Sequence, residues 1–181
     1  ENAGGPQCLK YGVTSDNVVR IEVVTPEGEV KVWGCDDAGP DLMSLMIGSE
    51  GTLGIVTRAW LKILEKPKTI KTAVAAFASV ENAINAVAGI IGAGIVPRAL
   101  EAMDKTSLNA AKKNLKTDYP PGTEAILLIE LDGESDTAVS KELRAIEDVC
   151  KTCFSTYFRT ADDPAEREAL WAARKGAYPA M

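Results

Sequence analysis

Three glycines at intervals of three, Gly48, Gly51 and Gly54, lie in the run Gly48-Ser49-Glu50-Gly51-Thr52-Leu53-Gly54-Ile55-Val56-Thr57, the part of the chain with the most chemical potential. A glycine lets the backbone turn through positive φ or lie against a flat ligand with no Cβ in the way. A loop of this kind, feeding an apolar run, either lines a cofactor or makes a tight turn between a helix and a strand. The residues alone leave both open. Cys150 and Cys153 have the spacing of a redox pair, but they close a helical pattern, whereas a reactive pair sits at a helix N-terminus, where the dipole favours thiolate. Zinc would need two more ligands, yet the chain has no histidine, and Cys8 and Cys35 stand apart. The cysteines are therefore expected to be structural, in a reducing, cytoplasmic setting, and no metal is expected.

The 181 residues are enough to bury roughly 70% of the surface of the unfolded chain, in one large domain or two small ones. With 46% apolar and 25% charged residues, no stretch has the composition of a disordered tail. A net charge of −6 argues against nucleic acid, whose binding draws on lysine and arginine neutralising phosphates. The longest apolar stretch, Ala83 to Val96, is shorter than the roughly 20 residues of a bilayer span and is broken by Asn85 and glycines. No membrane span is expected. The opening Glu1-Asn2-Ala3-Gly4-Gly5 has no basic and apolar leader, and it reads as the start of a piece of something longer.

Two regions must position these groups. Val18–Val24 and Glu29–Trp33 alternate as the strands of a hairpin around Thr25-Pro26-Glu27-Gly28. Asp41 is expected to cap a short helix with Leu42, Leu45 and Met46 on one side, ending at Gly48. After the glycine loop, residues 54–64 are predicted to form a strand with Ile55, Thr57, Ala59, Leu61 and Ile63 sharing a face. The charged break Glu65-Lys66-Pro67-Lys68 is the predicted boundary, giving domains 1–66 and 67–181. Beyond it, strand–helix–strand occurs twice. The first unit runs from Lys71 to Met103, with Ser79 as cap and Val80, Ile84, Val87 and Ile91 as the helix stripe. The second runs from Ala125 to Thr160, with Ser135 or Asp136 as cap and Val139, Leu143, Ile146 and Cys150 as the stripe. Between them lie a helix over 106–115 and a loop over 116–123. Two such units are the recipe for an α+β, ferredoxin-like antiparallel sheet with helices on one face. Asp163-Pro164-Ala165-Glu166 announces a last helix, with Glu166 placed to reach back to the cap.

With those elements placed, a set of motifs appears in one order along the chain. These are Asn2-Ala3-Gly4-Gly5-Pro6 with Lys10-Tyr11-Gly12, the hairpin from Ile21 to Trp33, and the glycine loop from Gly48 to Thr57. Leu100-Glu101-Ala102-Met103-Asp104, Glu130-Leu131-Asp132-Gly133 and Leu170-Trp171-Ala172-Ala173-Arg174-Lys175 follow. As an ordered set covering essentially all 181 residues, this resembles the FAD-linked oxidases of the vanillyl-alcohol oxidase type, and within them the members that oxidise glycolate. The resemblance implies the second part of a bipartite FAD-binding domain over 1–66 and the start of a ferredoxin-like cap domain over 67–181. The first FAD subdomain would precede Glu1, and a histidine-bearing region would follow Met181.

The activity so implied is that of a flavin-dependent 2-hydroxy acid oxidoreductase, glycolate becoming glyoxylate as its hydroxyl-bearing carbon gives a hydride to flavin N5. D-lactate and D-2-hydroxyglutarate dehydrogenases share the scaffold. The resemblance also implies a small 2-hydroxy acid substrate and possible partner subunits. By the same likeness, Asn2, Ala3, Gly4 and Gly5 would approach the flavin or its phosphate side. Glu50, Gly51, Gly54, Ile55 and Val56 would line the adenine and ribose end, Glu50 accepting from ribose hydroxyls. Arg174 would hold the substrate carboxylate through its planar fork. Read without the likeness, the first set is an exposed turn, the second a plain turn and Arg174 a solvated helix residue; Asp104 reads better as a helix cap than as a catalytic group, and Trp171 as packing. Half the contacts of a nanomolar FAD site would leave tens of micromolar affinity on a crude additive scale, so the chain by itself is expected to keep no flavin and to be inactive. A non-enzymatic ferredoxin-like module that binds a ligand or a partner is the rival class.

Overall fold

The computed structural model describes residues 1–111, 119–161 and 163–177. The chain divides into two compact units, Glu1–Lys66 and Pro67–Met181, each with its own sheet and core.

The first unit opens with a 3-10 turn, Gly5–Gln7, and two single-turn helices, α1 (Cys8–Tyr11) and α2 (Thr14–Asn17). Strands β1 (Val18–Val24) and β2 (Val30–Gly34) form the expected hairpin, closed by the Gly28 N–H donating to the Thr25 carbonyl at 2.9 Å. Helix α3 (Leu42–Met46) is capped by Asp41, whose carboxylate accepts from the Ser44 amide at 2.9 Å. That bond holds the Asp41 carboxyl below its usual range. Strand β3 (Ile55–Leu61) completes an antiparallel sheet in the order β2-β1-β3. Val18, Ile21, Val23, Met43 and Met46 form the core.

Two expectations for this unit need correction. The inner face of α3 is Met43 and Met46, three residues apart, while Leu45 is 61% exposed and Leu42 also faces outward. In β3 the simple alternation fails because Glu22 pairs with Arg58 and Val23 with Val56, so Thr57 bulges from the ladder and the faces switch. Val56, Ala59 and Leu61 stand opposite Val23, Ile21 and Val18, the buried residues of β1, whereas Ile55 stands opposite Val24. The strand ends at Leu61, and Ile63 lies beyond it, 95% exposed.

The second unit runs β4 (Thr69–Phe77), α4 (Val80–Gly92), β5 (Ala99–Asp104), α5 (Lys105–Ala111), β6 (Ala125–Gly133), α6 (Asp136–Thr152), β7 (Ser155–Thr160) and α7 (Pro164–Ala177). The sheet order is β5-β6-β4-β7 with every neighbouring pair antiparallel. Each of the two strand–helix–strand crossovers skips one strand, which is the split ferredoxin-like arrangement. Helices α4 and α6 cover one face over Phe77, Leu127, Ile129 and Leu131. The other face is not bare, as a sheet with helices on one side alone would be. Leu108 of α5 and Leu170 of α7 pack there on Val74, Ala76, Met103, Ile126 and Leu128. Both faces being covered, β4 and β6 are apolar on both sides through most of their length.

Helix α6 buries the expected stripe, Val139, Leu143, Ile146 and Cys150. Helix α4 does not: Ala83, Ala86 and Ile90 point inward, with Val87 partly buried, while Val80, Ile84 and Ile91 are exposed. Small residues are needed because α4 lies close to α6; a Cβ on Gly89 would come 2.8 Å from Val149 Cγ1. Ser79 and Ser135 cap the two helices through the amides of Asn82 and Ala138. Asp163 caps α7 by accepting from the Glu166 amide at 2.8 Å, and the Glu166 carboxylate meets Arg159 of β7 at 2.6 Å. Phe154, expected in the last strand, precedes it with φ 61° and is 74% exposed. The helix expected over 106–115 is described through Ala111, and its remainder lies outside the described residues.

Burial pushes the Cys150 thiol from its ordinary value of 9.0 up to about 12, and burial with neighbouring Tyr157 pushes the Tyr119 phenol from 10.0 up to about 12. Both folded pKa values are raised, so this stability is complete below the unfolded pKa and is lost as pH climbs toward 12. For Cys150 alone, roughly 1 to 1.5 kcal/mol should disappear between pH 8 and pH 10. Urea melts at the two pH values test this: the drop should shrink in Cys150→Ala, and equal drops in both proteins would refute it.

Candidate functional site

Candidate residues fall into one constellation in each unit. In the first, the chain leaves α3 at Gly48 (φ 91°), passes Glu50 and Gly51 at φ 52° and 82°, and enters β3 through Gly54. The loop is held by the Ser49 amide on the Met46 carbonyl at 3.1 Å and by the Thr52 amide and hydroxyl on the Ser49 carbonyl at 3.0 and 2.7 Å. Gly54 cannot be replaced at this spacing. An added Cβ would lie 2.8 Å from the Val24 carbonyl oxygen and 2.9 Å from Val23 Cγ1, and φ is 156°.

This loop walls a groove of about 330 Å³. Its lining includes Glu1, Thr14, Gly48, Glu50, Gly51, Gly54, Ile55, Val56 and Ala59 over an apolar base of Val18, Ile21, Met46 and Ile47. That volume is at the lower end of ligand pockets, roughly 300 to 1,000 Å³, enough for a nucleoside and too little for a whole dinucleotide. The lining residues include two glutamates and no lysine or arginine, which favours an uncharged purine and ribose over a phosphate. β3 is the outer strand of its sheet, and the far edge of such a strand presents main-chain N–H and C=O groups. The lining thus suits an uncharged group of nucleoside size.

The first candidate segment adjoins this groove. Asn2 lies beside Gly48, and its side chain is fixed to Ser15 by Nδ2 donating to Oγ at 3.1 Å and the Ser15 amide donating to Oδ1 at 2.9 Å. The Ala3 carbonyl accepts from Thr14 Oγ1 at 2.7 Å. Glu50, Gly51, Gly54, Ile55 and Val56 all line the groove; Ala3, Gly4 and Gly5 are not among its lining residues, and Gly4 packs against Cys8 and Gly12.

In the second unit, Arg174 is not a solvated helix arginine. Its Nε and Nη2 both meet Glu101 Oε2, at 2.8 and 2.7 Å. One helical turn earlier, Trp171 packs on the sheet and donates from Nε1 to Glu130 Oε2 at 2.7 Å. Thr72 Oγ1 donates to the same oxygen at 2.9 Å. Arg98 approaches Glu130 through Nε at 3.3 Å and Asp132 through Nη1 at 3.6 Å. Glu130, Asp132 and Thr72 are buried, so the α7 face of the sheet carries two carboxylates inside an apolar layer, matched by one guanidinium, an indole and a hydroxyl. Thr72 and Arg98 belong to none of the motifs above, and Glu130 and Asp132, though inside one of them, carry no role expected from the sequence. The network's only trace in the chain is two acids, two positions apart, in the otherwise apolar strand Ala125–Gly133. Asp104 caps α5, accepting from the Ser107 amide at 2.8 Å, which holds its carboxyl below the usual range. Among the described residues no group of three or more histidine, cysteine or acidic side chains could hold a metal ion, and no helix is long and apolar enough to cross a membrane.

Residues 66–181 match the family model described as FAD linked oxidases, C-terminal domain. The chain belongs to the FAD-linked oxidase family. Its relatives include the glycolate oxidase subunit GlcD of Escherichia coli, 46% identical over 100% of the chain and 37% of the relative. They also include a D-lactate dehydrogenase of Anaerostipes hadrus, 36% identical over 96% of the chain and 38% of the relative. Among solved structures, an alkyldihydroxyacetonephosphate synthase superposes with a TM-score of 0.76 at 23% identity, over 98% of the chain and 35% of that protein, and shows the shared fold. The chain thus spans a little over a third of the length of the curated relatives it matches.

Proposed function

We propose that this chain is part of an FAD-dependent oxidoreductase that oxidises a small 2-hydroxy acid, glycolate before others, to the 2-oxo acid. The observation that carries the reading is the 46% identity to a glycolate oxidase subunit along the whole chain. Residues 1–66 are assigned to the FAD-binding domain and 67–181 to the cap domain. Asn2, Ala3, Gly4 and Gly5 approach the cofactor. Glu50, Gly51, Gly54, Ile55 and Val56 hold its adenosine end, Glu50 accepting from the ribose. The lining of the groove supports this division, since it suits the uncharged half of the dinucleotide. Arg174 grips the substrate carboxylate and orients the hydroxyl-bearing carbon. Bound FAD supplies the hydride acceptor, at N5; the protein supplies position and electrostatics. We infer that the working enzyme has partner subunits and acts in the cytoplasm; the likeness to a subunit of a glycolate oxidase supports the first of these.

D-lactate is the second reading, supported by 36% identity to a D-lactate dehydrogenase. The decisive experiment expresses the whole natural polypeptide, loads it with FAD and follows anaerobic bleaching of the flavin with glycolate, D-lactate and D-2-hydroxyglutarate. Glycolate should bleach fastest. If none of the three bleaches it, the reading is overturned in favour of a binding module. The 181-residue chain alone is expected to purify colourless and to bind added FAD no tighter than tens of micromolar on the additive scale above. Recovery of one equivalent of flavin with it would contradict that.

A further inference from the structure

We propose that Glu101 is the positioning residue of the substrate arginine: it locks the Arg174 guanidinium side-on and leaves its end-on edge for the substrate carboxylate. The inference rests on the reading of Arg174 as the carboxylate ligand. It arises from how the two side chains meet. Both Nε and Nη2 converge on one oxygen, Oε2, at 2.8 and 2.7 Å. A guanidinium has five N–H donors in one plane. The side-on contact uses the Nε hydrogen and one Nη2 hydrogen; the other Nη2 hydrogen and one of the two on Nη1 form a parallel pair on the next edge, which matches a carboxylate. Glu101 and a bound acid can therefore hold the same arginine together.

The surroundings suit this role. The Glu101 side chain is 19% exposed and that of Arg174 36%, so the acid is the more fixed partner and the arginine the more open one. Glu101 lies on β5 opposite Leu128, a strand backed by the sheet core and no mobile loop. The backbone of α7 is pinned separately by the bond from Trp171 to Glu130 one turn before. With the helix held at Trp171 and the guanidinium at Glu101, the rotamer freedom of a long side chain is removed before substrate arrives.

The test uses the whole FAD-loaded protein and the 2-hydroxy acid it oxidises best, with oxalate as a non-oxidised two-carbon carboxylate whose affinity is measured by calorimetry. Glu101→Ala should raise KM and weaken oxalate about five- to tenfold, the cost of ordering one long side chain at binding, while kcat changes less than twofold. Glu101→Gln keeps an acceptor oxygen and should recover most of the loss. Arg174→Ala should raise KM further than Glu101→Ala. If Arg174→Ala raises KM and weakens oxalate but Glu101→Ala does neither, the positioning role is wrong and the Arg174 reading stands. If Arg174→Ala itself changes neither, the Arg174 reading is wrong and the inference falls with it. Should Glu101→Ala fail to fold, Glu101→Asp, which withdraws the oxygen by one methylene, should shift KM and oxalate affinity in the same direction by a smaller factor. An unchanged KM in that variant overturns the proposal.

Discussion

Arg98→Met is expected to destabilise the second unit by about 3 to 5 kcal/mol, the range measured when one partner of a buried ion pair is removed. The replacement fills similar space, so lost packing is small, and the effect comes from what stays behind. Glu130 is 4% exposed, the Asp132 side chain is fully buried, and Arg98 approaches both. Without that cation the two carboxylates lose the guanidinium they share within an apolar layer. The donors from Thr72 and Trp171 still serve Glu130 Oε2 at 2.9 and 2.7 Å, so the loss is chiefly that of the shared counter-charge. Arg98→Lys should fall between, because one ammonium cannot span carboxylates that the guanidinium reaches through Nε and Nη1. Trp171 is the one tryptophan beyond Lys66 in the sequence, so in a background with Trp33 and Trp60 changed to phenylalanine its fluorescence reports this unit alone. The urea midpoint should fall by on the order of 2 M for slopes of about 1 to 3 kcal/mol/M. A loss below about 1 kcal/mol would mean that the two carboxylates are not held by Arg98.

That network also shows where reading the chain stops. Residues 125–133 are legible as a strand, and Glu130 and Asp132 are legible as same-face acids, but their partners come from Thr72, Arg98 and Trp171, between 32 and 58 positions from the acid each one meets, and no local pattern links them. Helix α6 was readable because its apolar stripe has a charged opposite face with Lys141, Glu142 and Arg144, leaving one way to bury it. Helix α4 has an apolar arc wide enough for more than one inner face, broken only at Glu81, Asn82 and Asn85, so the large side chains suggest one inner face and the close approach to α6 at Gly89 selects another, made largely of alanines. In β3 a single bulged residue, Thr57, reverses the face on which Ile55 and Ala59 lie, and nothing in the composition of the strand announces it. The glycine loop is the opposite case. Its spacing marks a backbone that must turn through positive φ four times within seven residues, at Gly48, Glu50, Gly51 and Gly54. What the spacing could not supply is the apolar base contributed by β1 and α3, or the presence of Glu1 and Thr14 in the same lining.

Replacing Gly54 should do most damage to the first unit. Gly54→Ala places a Cβ 2.8 Å from the Val24 carbonyl oxygen, a main-chain atom that cannot swing aside, and 2.9 Å from Val23 Cγ1. Overpacking of this kind costs about 1 to 3 kcal/mol, and a side chain at a φ of 156° adds about 1 to 3 kcal/mol of backbone strain. A unit of 66 residues has little stability in reserve, so the pairing of Val23 and Val24 with Val56 and Ile55 is expected to open at its end. Gly51→Ala is the control. Its φ is 82°, but the nearest atom to an added Cβ is Ile55 Cδ1 at 3.9 Å, so strain is present without a clash. Amide hydrogen exchange over β1 and β3 should accelerate in Gly54→Ala by a factor of at least about 30, following from 2 kcal/mol of lost protection, and far less in Gly51→Ala. Because the same amides frame the groove, FAD retention by the whole polypeptide should fall with the ladder in Gly54→Ala. Equal exchange in the two variants would mean that the close contact with Val24 does not set the entry into β3, and the link between this glycine and the shape of the groove would be lost.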